Sequence, residues 1–149
     1  MDALEEQVGL LLGRDNTAAH EALKALVRTS GESDAVYPYM DRFYEMLRDE
    51  SSYVRTRGLT LIAHNARWDR DGRVDALLPA FLAHVADPKP ITARQCVKLL
   101  PLLAEHKPAL RADIVAALER ADPLIYADSM QPLLCRDIQE ALAAIRRMG

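Results

Sequence analysis

The sequence predicts an all-α chain in which helical hairpins of about 37 residues repeat into a short αα superhelix. Three observations carry this. Apolar residues recur at helical spacing in eight segments, turn-forming residues punctuate the chain every 35 to 38 residues or so, and one stretch of ten residues returns after a shift of 37. No useful run of alternating apolar and polar residues is present, so a sheet is not expected.

Taken in order, Leu4, Val8, Leu11 and Leu12 predict a first helix, and Ala19, Ala22, Leu23, Leu26 and Val27 a second. Val36, Met40, Phe43, Tyr44 and Leu47 make a bulkier third stripe, and Val54, Gly58, Leu61 and Ile62 mark a fourth helix from about Tyr53 to Asn65. The fifth stripe, Val74, Leu77, Leu78, Phe81, Leu82 and Val85, follows the 3.6-residue period over three turns. Ala93, Cys96, Val97, Leu100 and Leu103 form the sixth, Leu110, Ile114, Val115 and Leu118 the seventh, and Leu134, Ile138, Ala141, Leu142 and Ile145 the eighth.

The breaks at Gly13–Asn16, Asp49–Ser52, Asp87–Pro90 and Ala121–Pro123 each supply the Asp, Asn, Ser or Pro that starts a helix. Softer breaks at Ser30–Ser33, Asp69–Gly72 and His106–Pro108 divide each period into two helices, and Asp71 reads as the cap of the fifth. Within the repeat, a shift of 37 lays Val54 on Ile91, Arg57 on Arg94, Leu59 on Cys96 and Ile62 on Leu99, with His20 at the arginine position of the copy before. Ala22, Gly58 and Ala93 are small enough to let neighbouring helices approach closely.

With 149 residues, half of them apolar and 28% charged, the chain is expected to form one repeat domain over 1–149 and to bury a substantial core. No apolar stretch is long enough for a bilayer, the acidic N-terminal stretch lacks a signal-peptide pattern, and Cys96 and Cys135 have no CxxC partner; these point to a cytoplasmic protein with reduced thiols. The net charge of −3 hides an uneven distribution: −6 over residues 1–50, +4 over 51–100 and −1 over the rest.

The stretches SSYVRTRGLTLIAHNARWD, DPKPITARQCVKLLP and DSMQPLLCRDIQEAL resemble a family of short bacterial HEAT-like repeat proteins, over nearly the whole chain. The resemblance implies a HEAT/armadillo-like fold in which a turn Asp and a following helical Arg link consecutive turns. Some members carry a label borrowed from the SufBD iron–sulfur assembly scaffold, but that scaffold is a β-helix, and no β-helix pattern occurs here. The family brings no catalytic residues to carry over.

Searched for chemistry, the chain shows no HExxH, paired histidines, nucleophile elbow, P-loop or GxGxxG. His20, His64, His84 and His106 are scattered, and only His20-Glu21 resembles the His-Glu dipeptides of the HEAT-repeat deoxyhypusine hydroxylases. Asp69-Arg70-Asp71-Gly72 begins like a calcium loop, yet the position of its closing Glu is Ala80. Cys96, on an apolar stripe, reads as buried and inert, and Cys135 beside Arg136 lacks a base. No metal, cofactor or enzymatic activity is therefore expected.

Two surfaces remain. Arg55, Arg57, Arg67, Arg70, Arg73, Lys89, Arg94 and Lys98 lie within 44 residues, with Tyr53 and Trp68 among them. They are read either as inter-repeat partners and solvated cations or as ligands for a nucleic-acid backbone, in the manner of HEAT-like DNA glycosylases. In the first third, Asp34, Asp41, Glu45, Asp49 and Glu50 surround Tyr37, Tyr39, Phe43 and Tyr44, a mixture that suits a basic peptide or simply a wet helix face. The reading favoured is a non-enzymatic adaptor that binds an unidentified protein or peptide through Arg57, Trp68, Arg94 and Lys98. The alternative is binding of DNA or RNA backbone by the basic centre.

Overall fold

A computed structural model describes residues 2–149. Among these it has eight α-helices, joined by turns and short 3-10 segments, and no strand. The chain, expected as one domain, divides into two compact units at Asp71 and Gly72. Gly72 is left-handed (φ 78), a conformation that favours glycine, and stands at the N-cap of the next helix.

The first unit holds α1 (Ala3–Leu10), α2 (Asn16–Glu32), α3 (Met40–Met46) and α4 (Ser52–Asn65). Three of these helices begin on a side chain that accepts an otherwise unpaired amide: Asp2 from Glu5, Asp15 from Ala18 and Ser51 from Val54. Their apolar stripes meet in a core of Leu11, Leu26, Met40, Phe43, Leu59, Leu61 and Ile62, all fully buried. Burying such a side chain stabilises the fold by about 1.5–3 kcal/mol. Helices α2 and α4 run parallel, because Arg57 reaches Asn16 at one end while Asn65 reaches Ser30 at the other. Helix α3 crosses α4 at Gly58, where an added Cβ would stand 2.9 Å from the carbonyl oxygen of Phe43 and 3.0 Å from Cβ of Met46. Gly58 is thus a close approach of two backbones.

The second unit holds α5 (Arg73–Ala83), α6 (Pro90–His106), α7 (Arg111–Arg120) and α8 (Gln131–Arg146). Helix α6 is its centre, packed against α8, α7 and the 3-10 turn that follows α5. Phe81, Ala93, Cys96, Val97, Leu100, Leu103, Ala104 and Ile114 are buried in its core.

Three boundaries differ from the periodicity. Leu12 continues the first stripe in sequence, but α1 ends at Leu10, and Leu12 is 57% exposed. The fifth stripe runs on to Val85, yet the α-helix stops at Ala83 and Val85 is buried from a 3-10 turn. The break at Ala121–Pro123 leads into another 3-10 turn, Pro123–Ile125, capped by Asp122; α8 starts only at Gln131.

Burial also revises the repeat register. Moving α4 onto α6 by 38 positions matches buried residues at Val54–Thr92, Gly58–Cys96, Leu59–Val97, Ile62–Leu100 and Ala66–Ala104. The shift of 37 taken from identities would instead lay buried Val54 on Ile91, which is 59% exposed. The turns agree with 38: Asp49 Oδ1 accepts from the amide of Ser51 as Asp87 Oδ1 does from that of Lys89. Burial matches α2 to α4 at 36, through Ala22–Gly58 and Leu26–Ile62, and α6 to α8 at 41, through Cys96–Asp137, Leu100–Ala141 and Ala104–Ile145. The spacing between matched helices lengthens along the chain, and in this alignment Arg57 corresponds to Gln95 and Arg94 to Thr56.

Candidate functional site

The four residues singled out from the sequence fall two in each unit. In the first, Arg57 is buried, and its guanidinium donates to the carbonyl oxygen of Leu11 (2.9 Å) and to Oδ1 of Asn16 (3.1 Å). Leu11 is the C-cap of α1, so Arg57 places a cation on the negative end of that helix and satisfies an unpaired carbonyl there. Burial pulls its pKa below the ordinary arginine value, and the ring of Tyr53 lies 6.0 Å from the guanidinium. Trp68 does the same service for α2: its indole N–H donates to the carbonyl oxygen of Ser30 at 2.7 Å. Arg57 and Trp68 therefore hold opposite ends of α2, about 20 Å apart along its axis. They do not form one surface.

In the second unit, Arg94 donates to both carboxylate oxygens of Asp137, from Nε at 2.6 Å and from Nη2 at 3.3 Å. The hydrogen bond that Arg94 donates to Asp137 raises the arginine's pKa, and the carboxylate is nearly buried, 3% exposed. Lys98, one turn along α6, is exposed. The structure brings Arg94 and Lys98 onto one helix face, but Arg94 is committed to packing α6 on α8.

Other members of the basic stretch are also held internally. Arg55 donates to the carbonyl oxygens of Asp49 and Glu50, and Arg67 stacks 5.0 Å over the Trp68 ring. In the acidic third, Phe43 is core, Tyr39 and Tyr44 each lie 5.4 Å beneath an arginine (Arg42 and Arg48), and Arg42 pairs with Glu5.

Two polar clusters were not legible in the sequence. The hydroxyl of Tyr37 lies 2.6 Å from Asp69 Oδ1 and 2.5 Å from Asp71 Oδ1, which ties the Asp69–Asp71 turn to the segment before α3. Burial first, then the two carboxylates, push its pKa well above the tyrosine range. In the second unit, Asp87 is buried, with His84 Nδ1 at 2.7 Å from Oδ2, and Tyr126 donates to its carbonyl oxygen at 2.7 Å. Cys96 lies nearby, fully buried, its thiol pushed up by desolvation and then by the Asp87 charge. Cys135 is exposed. Among the described residues, no three His, Cys, Asp or Glu side chains converge as a metal site would require, and no helix is long and apolar enough to cross a membrane.

A concave feature that sequence reasoning missed is a groove of about 610 Å³ between α5 and α7. Leu78, Pro79, Leu82 and Ala83 form one wall; Asp113, Ala116, Ala117 and Arg120 form the other. The α7 wall follows i, i+3, i+4, i+7, one straight stripe with a charge at each end and alanines between. The alanines are why the groove is open: they carry too little volume to fill the space between the two helices. Among the described residues, neither Asp113 nor Arg120 has an ion pair or a side-chain hydrogen bond. Beside them, Leu124 and Ile125 are 75% and 57% exposed. A groove this size takes a row of apolar side chains and fixes their direction through the end charges.

No protein-family model, curated protein or solved structure matches this chain.

Proposed function

We propose that this chain is a cytoplasmic, non-enzymatic helical-repeat adaptor of HEAT/armadillo-like build, and that it receives an amphipathic helix of a protein partner in the α5–α7 groove. The observation that carries the reading is that groove: apolar walls, exposed Leu124 and Ile125 at its side, and unpaired Asp113 and Arg120 at its two ends. An amphipathic helix supplies the matching parts, an apolar stripe for the alanine-lined wall and opposite charges two turns apart. The register of buried positions shared by α2, α4, α6 and α8 supports a repeat protein, in line with the resemblance to short bacterial HEAT-like proteins. Binding a nucleic-acid backbone would need free cations in the basic centre, and Arg55, Arg57 and Arg94 are directed at internal acceptors instead.

Site-specific photocrosslinking in the native cell tests this. A benzophenone side chain at position 117 should give a discrete adduct, one at exposed Arg28 of α2 should not, and the adduct at 117 should disappear when Asp113 and Arg120 are both replaced by Ala. Equal labelling at 117 and 28, or no adduct at 117, would overturn the reading.

A further inference from the structure

The groove wall on α7 is self-complementary. Asp113 and Arg120 are seven residues apart, about 10.5 Å along the helix, and the midpoint between them falls between Ala116 and Ala117. If an identical helix is laid antiparallel against this stripe, Asp113 of each meets Arg120 of the other. Both pairs form at once, related by a two-fold axis that passes between the alanines. A parallel arrangement would set Asp113 against Asp113 and Arg120 against Arg120. The alanines at the axis let the two backbones come close, as small residues do wherever helices cross tightly. The same antiparallel arrangement brings Leu124 and Ile125, just beyond the C-terminal end of α7, alongside the N-terminal end of the other copy's α7, where their apolar surface would be covered.

We infer that the groove is a homodimer interface whose occupant is α7 of a second copy of this chain, running antiparallel. The inference rests on the groove reading above and names its partner. Charge complementarity selects this occupant, since the stripe matches its own reverse and needs no other sequence. One helix pair with its flanking apolar residues lies at the small end of specific interfaces. Self-association is therefore expected to be reversible, with dimer growing in between about 1 and 300 µM.

Sedimentation equilibrium on the full chain and on charge-reversal variants tests this. The wild type should dimerise over that range. Asp113→Arg and Arg120→Asp should each weaken dimerisation by about tenfold or more, because each sets like charges opposite at both ends. An equimolar mixture of the two variants should dimerise again. In the mixed dimer the arginine introduced at position 113 of one chain faces the aspartate introduced at position 120 of the other, and the unaltered Arg120 and Asp113 face each other at the far end. The double variant Asp113→Arg/Arg120→Asp should recover as well. Both positions are exposed, so circular dichroism is expected to be unchanged, and rescue in the mixture is a readout that a folding defect cannot imitate. A wild type monomeric up to about 300 µM, or a dimer indifferent to both reversals, overturns the inference. The two readings fail separately: a monomer that still crosslinks a different protein through position 117 removes the homodimer and keeps the groove. An adduct at 117 of twice the chain's mass supports both.

Discussion

The two units answer one packing problem with opposite electrostatics. Each packs two long helices together, α2 with α4 and α6 with α8, and each uses an arginine to hold them. Arg57 is buried without a carboxylate; its partners are a helix-terminal carbonyl and an amide oxygen, and its charge is offset by the dipole of α1. Arg94 lies in a two-pronged ion pair with a buried aspartate. The equivalent small position shows the same divergence. It is Ala22 and Gly58 in the first unit, where Gly58 admits α3, but Cys96 and Asp137 in the second, where Asp137 receives the arginine. The matched positions of the two units thus keep where a side chain is buried more strictly than what holds it.

Removing one arginine at a time tests the contrast most severely. Arg94→Leu leaves the Asp137 carboxylate buried with no cation and should cost about 3 kcal/mol in urea unfolding, while Arg94→Leu/Asp137→Leu should return to within about 1 kcal/mol of wild type. Arg57→Leu strands no charge and should cost about 1–2 kcal/mol for the carbonyl and amide acceptors it abandons. Equal losses for the two single variants would erase the distinction.

Next in size is the close approach. Gly58→Ala pushes a methyl group against the carbonyl oxygen of Phe43 and should destabilise by about 2 kcal/mol, although alanine favours helix. Gly31→Ala, in α2 with nothing within 4 Å of the new Cβ, should stabilise by about 0.5–1 kcal/mol. A Gly58→Ala variant as stable as Gly31→Ala would show that the α3–α4 crossing is not tight.

Tyr37→Phe removes the hydroxyl shared by Asp69 and Asp71 and should cost about 1 kcal/mol at neutral pH. The native pKa of Tyr37 is raised, so the proton is held more tightly in the folded chain than in the unfolded one. Its contribution is complete below the unfolded value of about 10 and declines as pH climbs from there toward the native pKa. The stability gap between wild type and Tyr37→Phe should accordingly narrow above about pH 10, and a gap that widens there would refute the assignment.

The smallest effect is chemical. Ellman's reagent should modify one thiol quickly, Cys135, and reach Cys96 only on unfolding, because burial keeps that thiol protonated.

The helices were legible because their stripes bury real surface: the segments around Leu26, Phe81 and Leu100 stand where the 3.6-residue period puts them. The register was less legible. Arg57 and Arg94 align by identity at 37, but identity cannot distinguish a residue that packs between helices from one that caps a helix end, and burial sets the match at 38. The candidate residues were ambiguous for a related reason. Arginine and tryptophan on a helix read alike whether they serve a partner or their own chain's carbonyls, and Trp68 has its partner in Ser30, 38 residues away. The groove was hidden because Ala116 and Ala117 look like ordinary helix formers until the facing wall is known.

The bond from Arg57 to the carbonyl of Leu11 joins positions 46 residues apart. During synthesis α1 and α2 leave the ribosome before α4, and the carbonyl that caps the end of α1 lacks its arginine partner until α4 follows. The pairing of α1 with α2 is therefore expected to stay fluid in the nascent chain and to set when residue 57 emerges, so that the arginine acts as a timing device for the first unit's assembly.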